Sequence, residues 1–260
     1  MSASPSVVIT GASSGIGRSA AVAWGRRGAK LTLSGRNEVE LARVVREVAA
    51  AGGQAIAVGG DVTRDEDRSA LVERAESAFG GIDVLVNNAG RGYYAAFRDI
   101  DAEELEELFA LNVVAPLRLT QLALPALEKS RGAVVMVSSI AGMVVAPRMA
   151  AYAASKFALE ALAAGLRAET KASGVRVVVV RPGPVDTPFR DNSVARGGEA
   201  GVRPTGAKVQ SPDAVGEMIV RAAERGTPVV ETSMYVRAVC AVARFAPPVL
   251  RRATARMATR

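Results

Sequence analysis

A tyrosine and a lysine four residues apart, Tyr152 and Lys156, are well suited to proton transfer. They lie in residues 150–171, a stretch rich in alanine, leucine and glutamate that favours a helix, so both side chains project from one face. A free phenol has a pKa of about 10, and a cation within about 4–6 Å lowers it. We therefore predict that Lys156 tunes the Tyr152 phenol to exchange a proton with a substrate oxygen.

A glycine cluster near the start of the chain has the chemistry of a phosphate site. Residues 10–17 read Thr-Gly-Ala-Ser-Ser-Gly-Ile-Gly, directly after an apolar run and before the helical stretch 18–27. Glycines permit a tight turn and close approach of backbone to a pyrophosphate, and a helix N-terminus offers free N–H groups. A strand, a glycine turn and a helix in this order indicate dinucleotide binding.

Short apolar runs alternate with amphipathic stretches along the chain and must position these residues. Strands are predicted at 6–10, 30–34, 54–59, 82–86, 133–138 and 175–181, with helices between them. This alternation predicts an α/β fold, a doubly wound parallel sheet with helices on both faces, in a single domain. Residues 187–211 are irregular and rich in glycine and proline, which is typical of a binding loop.

The glycine spacing, Gly-x-x-x-Gly-x-Gly, resembles that of the short-chain dehydrogenase/reductase family, Rossmann-fold oxidoreductases that use NAD(P). The resemblance covers most of the chain and rests on further motifs in order: Asp61-Val62, Asn87-Asn88-Ala89-Gly90, Asn112, Ser138-Ser139, Tyr152-x-x-x-Lys156 and Pro182-Gly183-Pro184-Val185-Asp186-Thr187. Each lies at or beside the C-terminal end of a predicted strand, where open parallel sheets bind ligands. The resemblance implies hydride transfer between a nicotinamide and a carbonyl or secondary alcohol.

The same resemblance assigns a catalytic set of Asn112, Ser139, Tyr152 and Lys156. Ser139 stands at the family's spacing before Tyr152, whereas Ser138 is one residue too early and is expected only to support the backbone. Asn112 is expected to hold a water that links the lysine to solvent. Asp61 and Val62 would contact the adenine, and Thr187 the carboxamide. The implied cofactor contacts, besides Tyr152 and Lys156, are Gly11, Ser13, Ser14, Gly15, Ile16, Gly17, Arg36, Asn37, Asp61, Val62, Asn88, Ala89, Gly90, Pro182, Gly183, Val185 and Thr187.

The end of the second strand bears on the choice of cofactor. NAD-preferring members of the family place an aspartate where this chain has Gly35, and Arg36 follows. Arg36 can make a bidentate contact with a 2′-phosphate, with Ser13 and Asn37 as added donors. We predict that NADP(H) is preferred and that NAD(H) is possible.

Composition limits the remaining classes of function. The chain has no histidine and one cysteine, Cys240, so no metal site and no internal disulfide are expected. It has no signal-peptide pattern and no uninterrupted apolar run of about 20 residues, so we expect a cytoplasmic protein. The net charge of +7 is concentrated after Glu231 and is not interpreted as nucleic-acid binding.

The C-terminal residues 232–260 are expected to form a basic helical extension of a catalytic domain, residues 1–231. Two short helices are predicted, at 233–245 and 249–257, separated by Pro247-Pro248. One interpretation is that these helices lie on an anionic membrane surface. The other is that they cap the substrate pocket or pack on a partner subunit.

Three functions stay open at this stage. The first is an oxidoreductase acting on a lipophilic carbonyl or alcohol, the second a reductase of 3-oxoacyl thioesters, and the third a non-catalytic protein that senses the cofactor. The pocket is expected to be walled by Arg91, Tyr93, Tyr94, residues 141–145, Pro184, Phe189 and the loop to Ser211. The family's tetramer-forming C-terminal segment is absent, and only residues 228–231 could supply its strand. We therefore predict a homodimer through helices at 101–128 and 150–171.

Overall fold

Seven parallel strands form the central sheet in a computed structural model that describes residues 4–197 and 208–258. The strands are β1 (Ser6–Thr10), β2 (Lys30–Gly35), β3 (Gln54–Gly59), β4 (Val84–Asn87), β6 (Ala133–Val137), β7 (Arg176–Arg181) and β9 (Val229–Glu231). Their spatial order is β3-β2-β1-β4-β6-β7-β9. The chain order reverses between β1 and β4, which opens a crevice at the C-terminal ends of the strands.

Helices cover both faces of this sheet. They are α1 (Gly15–Gly25), α2 (Glu38–Ala50), α3 (Asp65–Phe79), α4 (Ala102–Phe109), α5 (Ala115–Ser130), α6 (Ala150–Glu169), α7 (Pro212–Arg225), α8 (Met234–Phe245) and α9 (Pro247–Ala258). The first core packs α1, α2 and α7 against one face, and the second packs α3, α5 and α6 against the other. Val7 and Val8, successive residues of β1, enter opposite cores, as strand geometry requires.

The predicted doubly wound α/β fold is therefore confirmed, including all six strands. The fourth strand begins two residues later than predicted, at Val84, and ends at Asn87. Residues 228–231, the candidate for a last strand, contribute β9, which pairs with β7 through Val179 and Val229.

Two features of the fold were not predicted. A second, two-stranded parallel sheet joins β5 (Tyr93–Tyr94) to β8 (Val194–Ala195), so part of the irregular region 187–211 is anchored beside the site. A π-helical turn, Ala110–Val114, joins α4 to α5. The rest of the expected binding loop, including Gly198, Gly201, Pro204 and Gly206, lies outside the described residues.

One helical stretch, Ala102–Ser130, has the length and mean hydropathy that a membrane-crossing helix needs. Its inner side chains Leu119, Ala123 and Leu127 are buried in the second core against the sheet. Core helices commonly pass the same test, so this stretch is weak evidence for a membrane span.

The C-terminal extension forms two helices, as the sequence indicates. Ser233 caps α8, its hydroxyl accepting a hydrogen bond from the backbone N–H of Val236 at 3.2 Å. The break falls at Ala246, and Pro247 starts α9 two residues earlier than predicted. Proline suits this place because the first helical residue needs no N–H donor. Val236 and Cys240 on α8 are buried.

Candidate active site

The glycine loop places backbone where a phosphate can approach it closely. Gly11 and Gly15 have positive φ values of 62° and 54°, which residues other than glycine rarely adopt. A Cβ on Gly17 would lie 2.3 Å from the carbonyl oxygen of Gly11, so the helix and the loop meet too tightly for any larger residue. Because α1 begins at Gly15, its first N–H groups have no partner within the helix and face the crevice end of β1.

Thr10 and Asn88 connect the glycine loop to the end of the neighbouring strand. The Thr10 hydroxyl accepts hydrogen bonds from the backbone N–H groups of Asn88 and Ala89, both at 3.0 Å. The Asn88 amide donates to the carbonyl oxygens of Thr10 at 3.0 Å and Gly11 at 3.1 Å. These bonds join the ends of the paired strands β1 and β4 and fix the glycine loop at this edge of the sheet.

Thr187 approaches the same loop from the far end of β7. Its methyl group would lie 3.0 Å from a Cβ on Gly15. Pro182 and Val185 belong to the same connection: Ile140 donates its N–H to the Pro182 carbonyl at 2.9 Å, and Val185 packs against the first core. The narrow glycine cradle and the side chains gathered around it fit a dinucleotide cofactor.

The end of β2 lies beside the glycine loop, as the interpretation of cofactor choice requires. A Cβ on Gly35 would be 3.4 Å from the Ser13 hydroxyl, and the following Arg36 is exposed. Asn37 uses its side-chain oxygen to cap α2, accepting from the N–H of Glu40 at 3.1 Å. Only the amide nitrogen of Asn37 is then a donor for a ligand.

Asp61 and Val62 follow β3 at the same edge. The Asp61 carboxylate accepts from the N–H and the hydroxyl of Thr63 at 2.9 and 2.8 Å. Burial opposes ionisation of Asp61, but these hydrogen bonds and the charge of Arg36 outweigh it and lower the pKa of Asp61. Val62 is nearly buried. The acid therefore stays ionised close to Arg36.

Three of the four predicted catalytic residues gather around the start of α6. Tyr152 and Lys156 are both buried, and the Lys156 ammonium lies 5.8 Å from the centre of the Tyr152 ring. The Ser139 hydroxyl is close enough to the Tyr152 phenol to act on its pKa, which it lowers. The Lys156 ammonium donates to the Val137 carbonyl at the end of β6 at 3.0 Å. A substrate oxygen between the Ser139 and Tyr152 hydroxyls would meet two hydroxyl groups at once.

Asn112, the fourth residue, reaches this cluster from the π-helical turn. Its amide donates to the Arg91 carbonyl at 2.9 Å and to the Ser155 hydroxyl at 3.0 Å, and its oxygen accepts from the Arg91 N–H at 3.0 Å. A Cβ on Gly90 would lie 3.0 Å from that oxygen and 3.6 Å from the Lys156 ammonium. Both amide hydrogens are occupied, so Asn112 can hold a water only through a carbonyl oxygen.

The pKa values of the central pair differ from the expectation. Burial raises the pKa of the Tyr152 phenol above its ordinary value, although the hydrogen bond with Ser139 opposes this. Burial also lowers the pKa of Lys156 to about 8, with the Glu160 carboxylate opposing. In the protein alone the net shift of the Tyr152 pKa is therefore upward, opposite to the expected direction, because burial raises the pKa more than the Ser139 hydrogen bond lowers it. Tyr152 is therefore neutral and carries its proton.

A buried ionic cluster that was not predicted from the sequence lies one helical turn beyond Lys156. Arg181 at the end of β7 donates to Glu160 on α6, with a closest approach of 2.6 Å, and to Glu231 at the end of β9 at 3.3 Å. The Ser138 hydroxyl donates to Glu160 at 2.9 Å, so Ser138 is more than backbone support. The signal available in the sequence was a glutamate four residues after Lys156.

Ser155 was also missed, although it lies within the Tyr-x-x-x-Lys motif. It is buried, accepts from Asn112 and donates its hydroxyl hydrogen to the Tyr152 carbonyl at 2.7 Å. It thereby joins the π-helical turn to the first turn of α6. A hydroxyl among alanines, three residues after Tyr152, was the only signal for it.

The predicted pocket wall is correct in part. Tyr94 is buried near Tyr152, and the Phe189 ring centre lies 5.9 Å from that of Tyr152. Tyr93 and Arg91 point elsewhere: the Tyr93 hydroxyl donates to Glu104 at 2.9 Å, and Arg91 pairs with Glu107 at 2.9 Å, both on α4. Adjacent residues of β5 face opposite sides, so only one of the two tyrosines can line the pocket.

Other residues near the predicted pocket wall pack against neighbouring elements of the protein. A Cβ on Gly142 would meet Glu160 and Ser138 at 2.5 and 2.6 Å, so Gly142 packs on the ionic cluster. A Cβ on Gly183 would meet the Val236 side chain at 2.8 Å, so this glycine makes room for α8. Val145 is half-exposed.

Comparison with known proteins agrees with this geometry. The family profile described as short chain dehydrogenase matches residues 5–197. An uncharacterized oxidoreductase of Staphylococcus saprophyticus is 38% identical over 185 residues, covering 70% of this chain and 79% of the relative. An uncharacterized oxidoreductase of Thermotoga maritima is 37% identical over 178 residues, covering 68% of this chain and 70% of the relative.

A solved structure is similar over most of both chains. The alcohol dehydrogenase from the archaeon Thermococcus sibiricus, complexed with 5-hydroxy-NADP, superposes with a TM-score of 0.76 at 28% identity, covering 86% of this chain and 93% of that one. The profile spans well over half of this chain. The chain therefore belongs to the short-chain dehydrogenase family and is an NAD(P)-dependent oxidoreductase.

Proposed function

We propose that this enzyme transfers hydride between NADP(H) and the carbonyl or secondary alcohol of a lipophilic small molecule. The observation that carries the proposal is the meeting of Tyr152, Ser139 and Lys156 beside the glycine cradle at one edge of the sheet. The bound nicotinamide would supply or accept the hydride. The protein would supply orientation and the proton.

In the reducing direction the chain's own residues handle the substrate oxygen. Ser139 donates a hydrogen bond to this oxygen, and Tyr152, protonated because of its raised pKa, delivers a proton to it. The charge of Lys156 favours the phenolate that remains. Ser155 and Asn112 keep the helix start, and therefore Tyr152, in place through their hydrogen bonds.

Replacing the proton donor tests this function. We expect Tyr152→Phe to lower turnover at least a hundredfold while cofactor affinity, followed by fluorescence titration, stays nearly unchanged, because only the transferable proton is removed. Lys156→Met should lower both turnover and cofactor affinity. Tyr235→Phe on α8 is the control and should retain turnover. If Tyr152→Phe keeps more than a few per cent of wild-type activity, the proposed acid is wrong.

The preference for NADP(H) rests on Arg36 and Ser13. Arg36 is exposed beside the crevice, Ser13 lies near Gly35, and no carboxylate at position 35 opposes a 2′-phosphate. The similar archaeal dehydrogenase was solved with an NADP derivative, which supports this choice. NAD(H) remains a usable second cofactor in this proposal.

We expect Arg36→Ala to lower kcat/KM for NADPH about tenfold or more, since a charge-assisted contact is lost, and to leave NADH little affected. The matched control is Arg46→Ala, an exposed arginine on α2. Equal efficiency of the wild-type enzyme with both cofactors, or an unchanged NADPH efficiency in Arg36→Ala, would contradict the assignment.

The substrate proposal rests on the side chains that face Tyr152. Tyr94 and Phe189 give the pocket an aromatic wall, which suits a lipophilic ketone or alcohol. A 3-oxoacyl thioester is the alternative substrate class. A screen of ketones, alcohols and short 3-oxoacyl thioesters, followed by loss of NADPH absorbance, separates the two. Cofactor binding without any turnover would favour the non-catalytic sensor.

We also propose a cytoplasmic homodimer built from two regions of each chain, a catalytic domain at 1–231 and a basic extension at 232–260. Val114, Leu122 and Phe157 are partly exposed apolar residues on the outer helices and supply the dimer surface. Reduced nicotinamide cofactors and a free thiol at Cys240 suit the cytoplasm.

A further inference from the structure

The outward face of α8 is apolar although its inward face already packs on the catalytic domain. Val236 and Cys240 fill the inward face, and Val236 contacts Gly183 at the end of β7. At 3.6 residues per turn, Met234, Val242 and Phe245 lie on the opposite side. Met234 is 74% exposed and Phe245 80%. A helix that only packs on its own domain would carry polar residues there.

The charged side chains that follow or flank this face are all basic. Arg237 and Arg244, seven residues apart, lie on one flank of α8, and Arg251 and Arg252 follow on α9; all four are exposed. Val249, at the start of α9, is a further apolar side chain with 57% exposure. No acidic residue occurs after Glu231, so nothing within the extension neutralises these arginines.

We propose that this outer surface, Met234, Val242, Phe245 and Val249 with Arg237, Arg244, Arg251 and Arg252, docks on an anionic lipid bilayer. Exposed apolar side chains enter the boundary between headgroups and acyl chains, while arginines beside them extend to lipid phosphates. A second copy fits less well, because a symmetric contact of the same face would bring arginines against arginines.

Docking in this way leaves the catalytic domain folded and brings its crevice close to the lipid. The inward face of α8 stays on Gly183 and the turn Ile140–Gly142, next to Ser139. The site would then lie roughly one helix diameter, about 10 Å, from the membrane boundary. A lipophilic substrate could pass from the bilayer to the pocket over a short path.

Outward-face variants test docking without removing α8. The full-length enzyme is sedimented with vesicles of phosphatidylcholine alone or mixed with phosphatidylglycerol, at low and high salt. We expect binding to the anionic vesicles only, weakened by salt. Arg237→Gln with Arg244→Gln should weaken it roughly fivefold per arginine, and Met234→Ser with Phe245→Ser should weaken it at every salt concentration.

Matched controls separate docking through this surface from nonspecific binding of the protein to vesicles. Arg46→Gln with Arg74→Gln removes the same charge from exposed sites on α2 and α3, and Phe97→Ser removes an equally exposed ring from the catalytic domain. These controls should bind vesicles like the wild type, and all variants should keep their turnover of a water-soluble substrate.

Three results would overturn the proposal. They are absence of binding to anionic vesicles, equal loss of binding in the Arg46 and Arg74 control, and assembly beyond a dimer in solution that disappears in the Met234 and Phe245 variant. The last would identify the surface as a contact between copies of the chain.

Discussion

Burial sets the proton affinities of the two residues at the centre of the site. Tyr152 loses contact with water and its pKa rises, while burial lowers the pKa of Lys156 to about 8. The Glu160 carboxylate raises the Lys156 pKa and so keeps more of the lysine charged at neutral pH. Glu160 is itself held by Arg181 and Ser138. We therefore expect the ionic cluster to tune Lys156, the proposed catalytic lysine.

This arrangement predicts a pH dependence with a defined sign. The Lys156 cation is present below its pKa and is lost as the pH rises, so kcat/KM for reduction should fall above about pH 8. Glu160→Gln removes the supporting carboxylate, lowers the Lys156 pKa and should move this alkaline limb to lower pH. Glu169→Gln, exposed on the same helix, is the control.

A measurement of stability separates an effect of Glu160 on Lys156 from an effect on the fold. Breaking the buried Glu160–Arg181 pair should lower the free energy of unfolding by about 3 kcal/mol, which denaturant titration measures. If Glu160→Gln loses stability but its pH profile coincides with that of the wild type, the cluster stabilises the fold and does not tune Lys156.

At the scale of elements, α8 packs tightly against the connection that follows β7. A Cβ on Gly183 would lie 2.8 Å from the Val236 side chain, and the backbone at Gly183 does not have a positive φ. The glycine is therefore required by the approach of α8 rather than by its own conformation. The expected cofactor contact of Gly183 stays a prediction, because its backbone could still meet a cofactor.

A double-mutant cycle tests the contact. We expect Gly183→Ala to destabilise the protein because the new methyl group displaces α8, and Val236→Ala to destabilise it by leaving a cavity. Together they should cost less than their sum, with a coupling of about 0.5–3 kcal/mol in chemical denaturation. Additive losses, combined with a specific loss of cofactor affinity in Gly183→Ala, would favour the cofactor role instead.

At the scale of the whole molecule, the outer faces of α5 and α6 and the outer face of α8 offer two separate apolar surfaces. Phe157 on α6 is 43% exposed, and Val114 and Leu122 are exposed to a similar degree. The proposed dimer covers the first surface and leaves the extension free to meet a membrane.

We expect light scattering to give the mass of a dimer at micromolar concentration. Leu122→Arg with Phe157→Arg should shift it to a monomer, since buried unpaired charges oppose association. Val39→Arg, on an exposed position of α2, is the control and should remain dimeric. A stable wild-type tetramer, or a dimer that survives the double substitution, would show that a different surface is used.

Local spacing in the sequence determined the fold and pointed to the candidate site. Alternating apolar runs predicted the parallel sheet, the loop at 10–17 predicted the cradle, and the Tyr152–Lys156 spacing predicted two side chains on one helix face. These features depend on residues close together in the chain, whose geometry follows from helix and strand periodicity.

Only the tertiary structure decided how these residues are tuned and what surrounds them. Burial, which depends on packing between distant segments, reversed the expected direction of the Tyr152 pKa. The partners of Glu160 lie 21 to 22 residues away at Arg181 and Ser138, and Val236 meets Gly183 across a longer separation. Packing also showed that α8 has two apolar faces, one covered by the domain and one open.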